Sequence, residues 1–460
     1  MKAVSQIACL VALACAIAQP ALSASQADAD KLGKELTPAG AEKAGNKDGT
    51  ISAWTGESAE SAGWSYGKFR GDYFKYKNEK PLFIIDASNV DKYADKLAPG
   101  EIQLIKQNKG YSMPVYPTHR SCLLPDFVAA NTKKNGSAST IGPDGWTMRG
   151  ETLPGVPFPI PTSGIQAVWN HLTRYQGVAA EYPTALSFVS AKTPGDPGIE
   201  YRWTLQFYWP NGAKGENHPA DGSLFQGLYF GYIQPAALAG QAAMQRFYFD
   251  KPTESYYYFT GQRRVRRMPA YDYDAPSIGF ENQYQVDQQD VFFGAPDRFD
   301  WKIVGKKEMY VLYNDFAMFD FRKPMSEALQ ASYVNPAFRR YELHRVWMIE
   351  GTVKEGMRHS NPKRTLYLDE DSWLALGGED YDAQGKIWKW KESATAPAWE
   401  LGGACVMPQT LMYDLTSGRY LADSLIFGTG KDYHYYQTPT LPNQNESFFT
   451  SEGLARVSDR

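Results

Sequence analysis

Polar and hydrophobic residues alternate along much of the chain after Tyr201, the pattern expected of β-strands. Alternation in the segment YRWTLQFYWP places two sets of side chains on opposite faces of one strand. One face carries Tyr201, Trp203, Leu205, Phe207 and Trp209, and the other carries Arg202, Thr204, Gln206 and Tyr208. Further strands are predicted in QAAMQRFYFD, SYYYFTGQRRVRRMP, KIVGKKEMYVLYND, YELHRVWMIEGTVK, KRTLYLDEDSWLALGGEDYDAQGKIWKWKES and QTLMYDLTSGRYLAD. Most connections are too short for crossover helices, so the sheet should be antiparallel.

Helical periodicity is scarce and lies early in the chain. SNVDKYADKLAPG predicts a helix that ends at Pro99-Gly100, and EIQLIKQN predicts a second short helix. In TSGIQAVWNHLTRYQG, Ser163 and Gln166 have the spacing of a capping box, ahead of one apolar stripe. The fold class is therefore mainly β, with one large domain at residues 25–460. We expect 25–200 to be an extended and helical part that packs on a main sheet formed by 201–460.

The first 24 residues have the pattern of a secretory signal. One lysine precedes an apolar stretch too short to span a bilayer, and small residues follow it, which predicts cleavage near Ser23 or Ala24. The expected location is the periplasm, with an association with the outer membrane left open. Cys122 and Cys405 are the two cysteines outside the signal. In an oxidising compartment they are expected to form a disulfide, and two buried free thiols are the alternative.

Arginine is concentrated in the segment GQRRVRRMP, directly behind an aromatic run. Alternation puts Arg264 and Arg266 on one face of a strand and Arg263, Val265 and Arg267 on the other, so neither face is apolar. A strand packed on both sides would need carboxylates opposite these charges. The segment is therefore an edge strand, the rim of a cavity, or a strand paired with acids such as Glu342 or Glu350. Without the signal the net charge changes from −3 to −4, which argues against nucleic acid as a partner.

Motifs of known chemistry are not found in the sequence. The six histidines are scattered without the spacing of metal ligands, and no nucleophile elbow, phosphate loop or dinucleotide fingerprint is present. The segment DYDAQGKIWKWK has Lys391 where a calcium loop needs a bidentate glutamate, so a hairpin turn is favoured. The sequence predicts no catalytic residue, no metal and no cofactor. Paired carboxylates for glycoside chemistry stay open, because their separation in space cannot be read from the sequence.

Six segments together resemble an exported Gram-negative family of unknown function that is described as outer-membrane lipoprotein-sorting-like. They are KLGKELTPAGAEKAGNKDGTISAWTG, MPVYPTHR, GVPFPIPTSGIQAVWNHLTRYQG, GQRRVRRMPAYDYDAP, DRFDWKIVGKKEMYVLYND and YELHRVWMIEGTVKEGMRHSNPKRTLYLDEDSW. This family is distantly similar to the lipoprotein carriers LolA and LolB. The resemblance implies a curved antiparallel sheet like an incomplete barrel, with a few short helices as a lid over an apolar cavity. It also implies an inner-membrane exporter and an outer-membrane protein as candidate partners.

These observations lead to one functional hypothesis and one alternative. We expect a periplasmic carrier or accessory protein for a lipid or another hydrophobic molecule, not an enzyme. The alternative is a periplasmic protein that binds or cleaves glycans, since exposed Trp and Tyr stack on sugars. The aromatic face of the strand at 201–209 is either a cavity lining or ordinary core. The candidate ligand-binding residues are Trp203, Phe207, Trp209, Tyr256, Tyr258, Arg264 and Arg266.

Overall fold

A computed structural model describes residues 24–458, apart from the side chains of residues 407 and 408. The strands are β1 Phe83–Ile85, β2 Met113–Val115, β3 Thr140–Ile141, β4 Met148–Arg149, β5 Ala179–Val189, β6 Ile199–Tyr208, β7 Leu224–Gln234, β8 Ala242–Tyr248, β9 Glu254–Phe259, β10 Arg264–Arg267, β11 Phe299–Leu312, β12 Tyr341–Val353, β13 Lys363–Asp369, β14 Ala375–Tyr381, β15 Ile387–Ala398, β16 Ala404–Asp414, β17 Tyr420–Leu425 and β18 His434–Tyr436. The α-helices are α1 Gln26–Ala29, α2 Pro99–Gln107, α3 Asp126–Ala138, α4 Gly164–Leu172, α5 Met325–Ala328 and α6 Ser451–Ser458.

Sixteen of these strands form one sheet that is not closed into a barrel. Its order is β1-β2-β12-β13-β14-β15-β16-β17-β5-β6-β7-β8-β9-β10, with β11 also paired to β12 and β18 also paired to β5. Every pair is antiparallel except the single contact between β2 and β12. The predicted fold class, a large open antiparallel sheet with few helices, is confirmed.

The sheet curves strongly around its inner face. The Tyr341 hydroxyl on β12 donates a hydrogen bond to Glu392 Oε2 on β15 over 2.9 Å. These strands are three positions apart in the sheet, which in a flat sheet would separate them by about 14 Å. The curvature therefore encloses a space on one side, here called the inner face.

Strand β5 lies in the middle of the sheet, although the sequence analysis began the main sheet at residue 201. It pairs with β6 along its length, and β17 and β18 share its other edge. Pro183 lies in a register shift between Tyr182 and Ala185. Because a bulge with proline interrupts alternation, the periodicity that reveals β6 is broken in β5.

The helices differ from the predictions at their ends. Residues 90–96 form a 3₁₀ helix, and Pro99 begins α2 instead of ending the preceding helix, as proline suits a first helical turn. The predicted capping box at Ser163 is not formed, because Gln166 Oε1 accepts from the Thr162 backbone N–H at 2.7 Å. Helix α3 was not predicted, because its mixed polar sequence has only a weak apolar stripe.

Cys122 and Cys405 form a disulfide, the pair that the sequence analysis predicts. It joins the loop before α3 to the start of strand β16, across 283 sequence positions. The Tyr313 hydroxyl donates to Cys122 Sγ at 2.7 Å. The predicted signal lies outside the described residues, except for Ala24. Within residues 24–458, no helix has the length and hydrophobicity needed to cross a membrane.

Candidate functional site

Aromatic side chains form rows across the inner face from β6 to β10. The register aligns Leu205 with Phe230 on β7, Ala243 on β8, Tyr257 on β9 and Arg266 on β10. Because directly paired residues of an antiparallel sheet point to the same side, the whole row lies on one face. The rows on its two sides are formed by Trp203 with Tyr232, and by Phe207 with Leu228 and Gln245.

An irregular segment, residues 271–290, lies over these rows and is here called the cover segment. Its one described helical turn is the 3₁₀ turn Val286–Gln288. The Tyr232 hydroxyl donates to the Ile278 carbonyl at 2.7 Å, and Arg419 forms an ion pair with Glu281 at 2.7 Å. The Asp290 carboxylate is paired with Arg174. The lid over the cavity is therefore built mainly from turns and irregular chain rather than from helices.

Unusual backbone conformations are concentrated in the cover segment. Tyr273, Glu281, Asn282 and Asp290 have left-handed φ angles of 50–60°. Val291, directly after the segment, has φ 69°, which a β-branched side chain rarely adopts. Strain of this kind persists where the surrounding structure enforces it, and it is concentrated at binding sites.

A cavity lies between the rows and the cover segment, here called the inner cavity. It has a volume of about 770 Å³, including its opening to solvent. Apolar and aromatic side chains make up most of its wall, and amide, hydroxyl and carboxyl groups complete it. The lining residues are Gln176, Tyr182, Trp203, Leu205, Phe207, Leu228, Phe230, Tyr232, Gln245, Tyr271, Ser277, Phe280, Tyr284, Val286, Gln289, Asp290, Thr410, Asp423, Ser424 and Tyr435.

Two carboxyl groups are the charged groups in this lining. Burial raises the pKa of Asp423 to about 6, although Ser187 donates to its carboxylate at 2.5 Å and the Tyr284 hydroxyl adjoins it. Burial also raises the pKa of Asp290, while the Arg174 guanidinium opposes that shift. A bulge in β17, where Ser424 has φ 58°, turns Asp423 and Ser424 toward the cavity. The cavity interior thus favours neutral groups over anions.

We expect the Asp423→Asn variant to be more stable than the wild type at pH 8 and nearly equal to it at pH 4. The folded pKa lies above the unfolded value, so the native protein loses stability as pH rises from about 4 through about 6. Asparagine keeps the acceptor for Ser187 and cannot ionise. The gain at pH 8 should reach at most about 3 kcal/mol, at 1.36 kcal/mol per pKa unit.

Chemical denaturation at the two pH values measures this gain, and Asp300→Asn on exposed β11 is the control. An equal change in unfolding free energy at both pH values would contradict a raised pKa of Asp423.

Strand β10 forms the free edge of the sheet, as one reading of the sequence predicts. Arg264 and Arg266 pair with Phe259 and Tyr257, so they point to the inner face. Two strand spacings, about 10 Å, separate β10 from β8, the nearest strand that lines the inner cavity. The arginines are exposed and near the cavity but do not line it.

The alternative in which this segment is a strand paired with acids such as Glu342 or Glu350 is wrong. Within the described chain, none of Arg263, Arg264, Arg266 and Arg267 has a carboxylate within ion-pair distance. Glu342 is bound instead by Arg340 at 2.6 Å, and Glu350 by Lys363 at 2.7 Å. An edge strand meets water on its free side, so its charges do not need protein partners.

Three other candidate residues do not line the inner cavity. Tyr256 and Tyr258 lie on the outer face, where Tyr258 is buried with Phe449 and Leu454 near α6. Alternation alone could not decide which of the two aromatic faces of β9 points inward. Trp209 lies beyond the end of β6, where it stacks on Phe207 with ring centres 5.2 Å apart and lines a second, smaller cavity.

Several wall residues were missed by the sequence analysis. Phe280, Tyr284 and Val286 lie in a segment that has neither the helical nor the strand period. Asp423 lies at a bulge, where its side chain leaves the alternating pattern. The left-handed positions in the cover segment have no reliable sequence signal, since tyrosine and glutamate, which hold two of the four, are uncommon left-handed residues.

One group of buried side chains has the composition of a metal site. His344, Asp369 and Asp371 offer ligand atoms within 4.8 Å of one another. Both Asp371 oxygens already accept from Arg120 at 2.7 Å, and Asp369 accepts from Tyr313 and Ser372. This network supports the region around the disulfide, since Tyr313 also contacts Cys122. With Asp371 engaged in this way, the group fits a structural role better than metal binding.

The fold and the site define a protein with an open antiparallel sheet and an aromatic cavity on its inner face. The chain belongs to the family described as Protein of unknown function (DUF1329), whose model matches residues 84–455. A curated relative, the uncharacterized protein PA3922 of Pseudomonas aeruginosa, is 38% identical over 433 residues and is covered over 90% of both chains. The resemblance stated from the sequence is thereby confirmed for the family.

Solved structures with similar folds include three that match most of their own length. An outer membrane lipoprotein-sorting protein domain from Vibrio parahaemolyticus is 14% identical, with a TM-score of 0.41 over 61% of this chain and 92% of that one. A DUF1329 family protein from Desulfovibrio piger is 12% identical, with a TM-score of 0.39 over 60% and 92%. The LolA superfamily protein NE2245 from Nitrosomonas europaea has a TM-score of 0.34, at 12% identity over 60% and 90%. With TM-scores below 0.5, these likenesses are partial.

Proposed function

We propose that the protein is a periplasmic carrier or accessory protein that binds a lipid or another hydrophobic molecule in envelope transport. The observation that supports this most is the inner cavity, whose wall combines large aromatic surfaces with a few amide and hydroxyl groups and two carboxyl groups. Concave sites lined mostly by apolar and aromatic side chains with a few polar groups are typical ligand sites. Its openness to solvent at one side gives a ligand a route of entry.

The energetics suit a carrier that both loads and unloads. Burying a sixteen-carbon chain is worth about 12 kcal/mol, at about 0.8 kcal/mol per methylene. Lost freedom of the ligand and ordering of the protein offset much of this gain. Transfer from a membrane is then nearly balanced in free energy, so direction must come from a partner or an energy source. An inner-membrane exporter and an outer-membrane protein are the partners we propose.

The arginine edge is proposed as the place where an anionic headgroup is held outside the cavity. The inner cavity carries two carboxyl groups and no cation in its lining, which disfavours an anion inside it. Arg264 and Arg266 are exposed on the same face of the sheet and form no ion pair within residues 24–458. A guanidinium binds carboxylate or phosphate by charge-assisted hydrogen bonds.

We predict that Arg266→Glu weakens binding of palmitate about two- to fivefold and leaves binding of hexadecanol unchanged. The two ligands have the same chain and differ in charge, and an exposed charge pair is worth up to about 1 kcal/mol. Displacement of the neutral fluorophore N-phenyl-1-naphthylamine measures both affinities. Arg267→Glu is the matched control, because it reverses the same charge on the same strand but on the outer face.

The headgroup role would be wrong if Arg266→Glu and Arg267→Glu lowered palmitate affinity equally, since general electrostatics would then explain the loss. A large fall in melting temperature with unchanged palmitate binding would show that Arg266 is structural.

The glycan alternative receives less support from the site. An enzyme of that class needs two free carboxyl groups facing the substrate. Of the carboxyl groups in the inner cavity, Asp290 is held by Arg174 and Asp423 by Ser187. Because both carboxyl groups already have partners in the protein, the site supports a binding role better than a catalytic one.

A further inference from the structure

A second cavity lies directly beyond the end of the inner cavity. It has a volume of about 350 Å³, including its opening to solvent. Its wall contains Trp209, Phe225, Phe249 and Tyr175, with Leu153 and Pro154 beside them. Most of this wall is apolar, so the cavity suits the same chemical class of ligand as the inner cavity.

The two cavities are separated by a thin partition of side chains. Gln176 lines both of them. Beside it, Phe207 from the inner cavity stacks on Trp209 from the second cavity. Arg174 from the second cavity pairs with Asp290 from the inner cavity. Gln176 therefore forms part of the boundary between the two cavities.

Gln176 is the movable part of this partition. Its side-chain carbonyl accepts one hydrogen bond, from Arg174 at 3.3 Å, which is long for a hydrogen bond to a guanidinium. An unbranched side chain of this kind has several staggered rotamers available to it. The Phe207–Trp209 ring pair and the Arg174–Asp290 ion pair hold the other sides of the opening in place.

We propose that the two cavities form one continuous channel when Gln176 turns aside, and that the ligand is a long unbranched amphiphile whose tail reaches the second cavity. This inference rests on the proposed function and narrows the class of ligand to amphiphiles with a long chain. The headgroup end is at the arginine edge on β10, four strand spacings or about 19 Å from β6. A ligand that spans this distance and enters the second cavity is long rather than compact.

The experiment compares hexadecanol with decanol as competitors of N-phenyl-1-naphthylamine. In Asn211→Trp, the new ring fills part of the second cavity, because Asn211 lines that cavity and not the inner one. We expect hexadecanol to bind at least tenfold more weakly and decanol to change less than twofold. Gln176→Ala opens the partition and should strengthen hexadecanol binding about threefold or more. Lys214→Trp, on the exposed turn nearby, is the control and should change neither affinity.

Each outcome separates the two proposals. The channel is wrong, and the carrier proposal stands, if two results are found together. Asn211→Trp would have to change the affinities for hexadecanol and decanol equally or not at all, and Gln176→Ala would have to leave the ratio of these affinities unchanged. If the wild type binds neither alcohol nor the fluorophore, both proposals are wrong. Melting temperatures within about 2 °C of the wild type identify variants whose fold is intact, and Gln176→Ala decides the question if Asn211→Trp does not fold.

Discussion

Trp203→Ala is expected to weaken binding of N-phenyl-1-naphthylamine at least tenfold. The Trp203 indole is buried in the inner cavity wall, edge-on to Phe230 at 5.8 Å between ring centres. Fully burying a large apolar side chain is worth about 1.5–3 kcal/mol, and each 1.4 kcal/mol is a factor of ten in affinity. A fluorescence titration measures the change with a neutral ligand, so the arginines do not contribute.

Tyr208→Ala is the matched control, since it removes an aromatic ring from the outer face of the same strand. Tyr208 stacks on Phe449 at 5.8 Å, on the side opposite the cavity. Equal losses in the two variants, or no binding by the wild type, would show that the Trp203 face is ordinary core. Melting temperatures of both variants separate lost binding from lost folding.

Removal of the disulfide is expected to cost up to about 5 kcal/mol of unfolding free energy. In the loop-entropy model the cost grows with the length of the closed loop, and this disulfide links residues 283 positions apart. Cys122 and Cys405 are buried, and Tyr313 donates to Cys122 Sγ. The double variant Cys122→Ala/Cys405→Ala measures the loss by chemical denaturation without a free thiol.

The single variant Tyr313→Phe is the control, because it removes the hydrogen bond and keeps the disulfide. It should lose about 1–2 kcal/mol, the usual effect of one buried hydrogen bond. If the double variant lost no more than Tyr313→Phe, or if peptide mapping found both thiols free in periplasmic protein, the stabilising role of the disulfide would be wrong.

The sequence predicts the wall of the site better than its cover. The sequence of strand β6 alternates from Tyr201 to Phe207, so the inward side chains Trp203 and Phe207 follow directly from the pattern. The cover segment has no period, because its backbone follows the contacts of Tyr232, Arg419 and Arg174 rather than a local preference. Phe280, Tyr284 and Asp290 could not be found without the structure for this reason.

The arginine strand shows a second limit of sequence patterns. Alternation correctly divides the segment at 263–267 into two charged faces, and the absence of an apolar face indicates an edge. It does not say which face points inward, since Tyr257 on one side and Tyr258 on the other are equally aromatic. The register with Leu205 and Phe230 decides this, and register depends on contacts between distant parts of the chain.

Native mass spectrometry of the protein released gently from periplasm tests the carrier proposal most directly. The proposal predicts a mass shift that equals one bound amphiphile, which solvent extraction recovers as a long-chain lipid. The fraction of protein that carries this bound molecule should be smaller for Trp203→Ala than for Tyr208→Ala. A wild-type protein that carries no bound molecule, and that takes up none when mixed with vesicles of phosphatidylglycerol and phosphatidylethanolamine, would contradict the proposal.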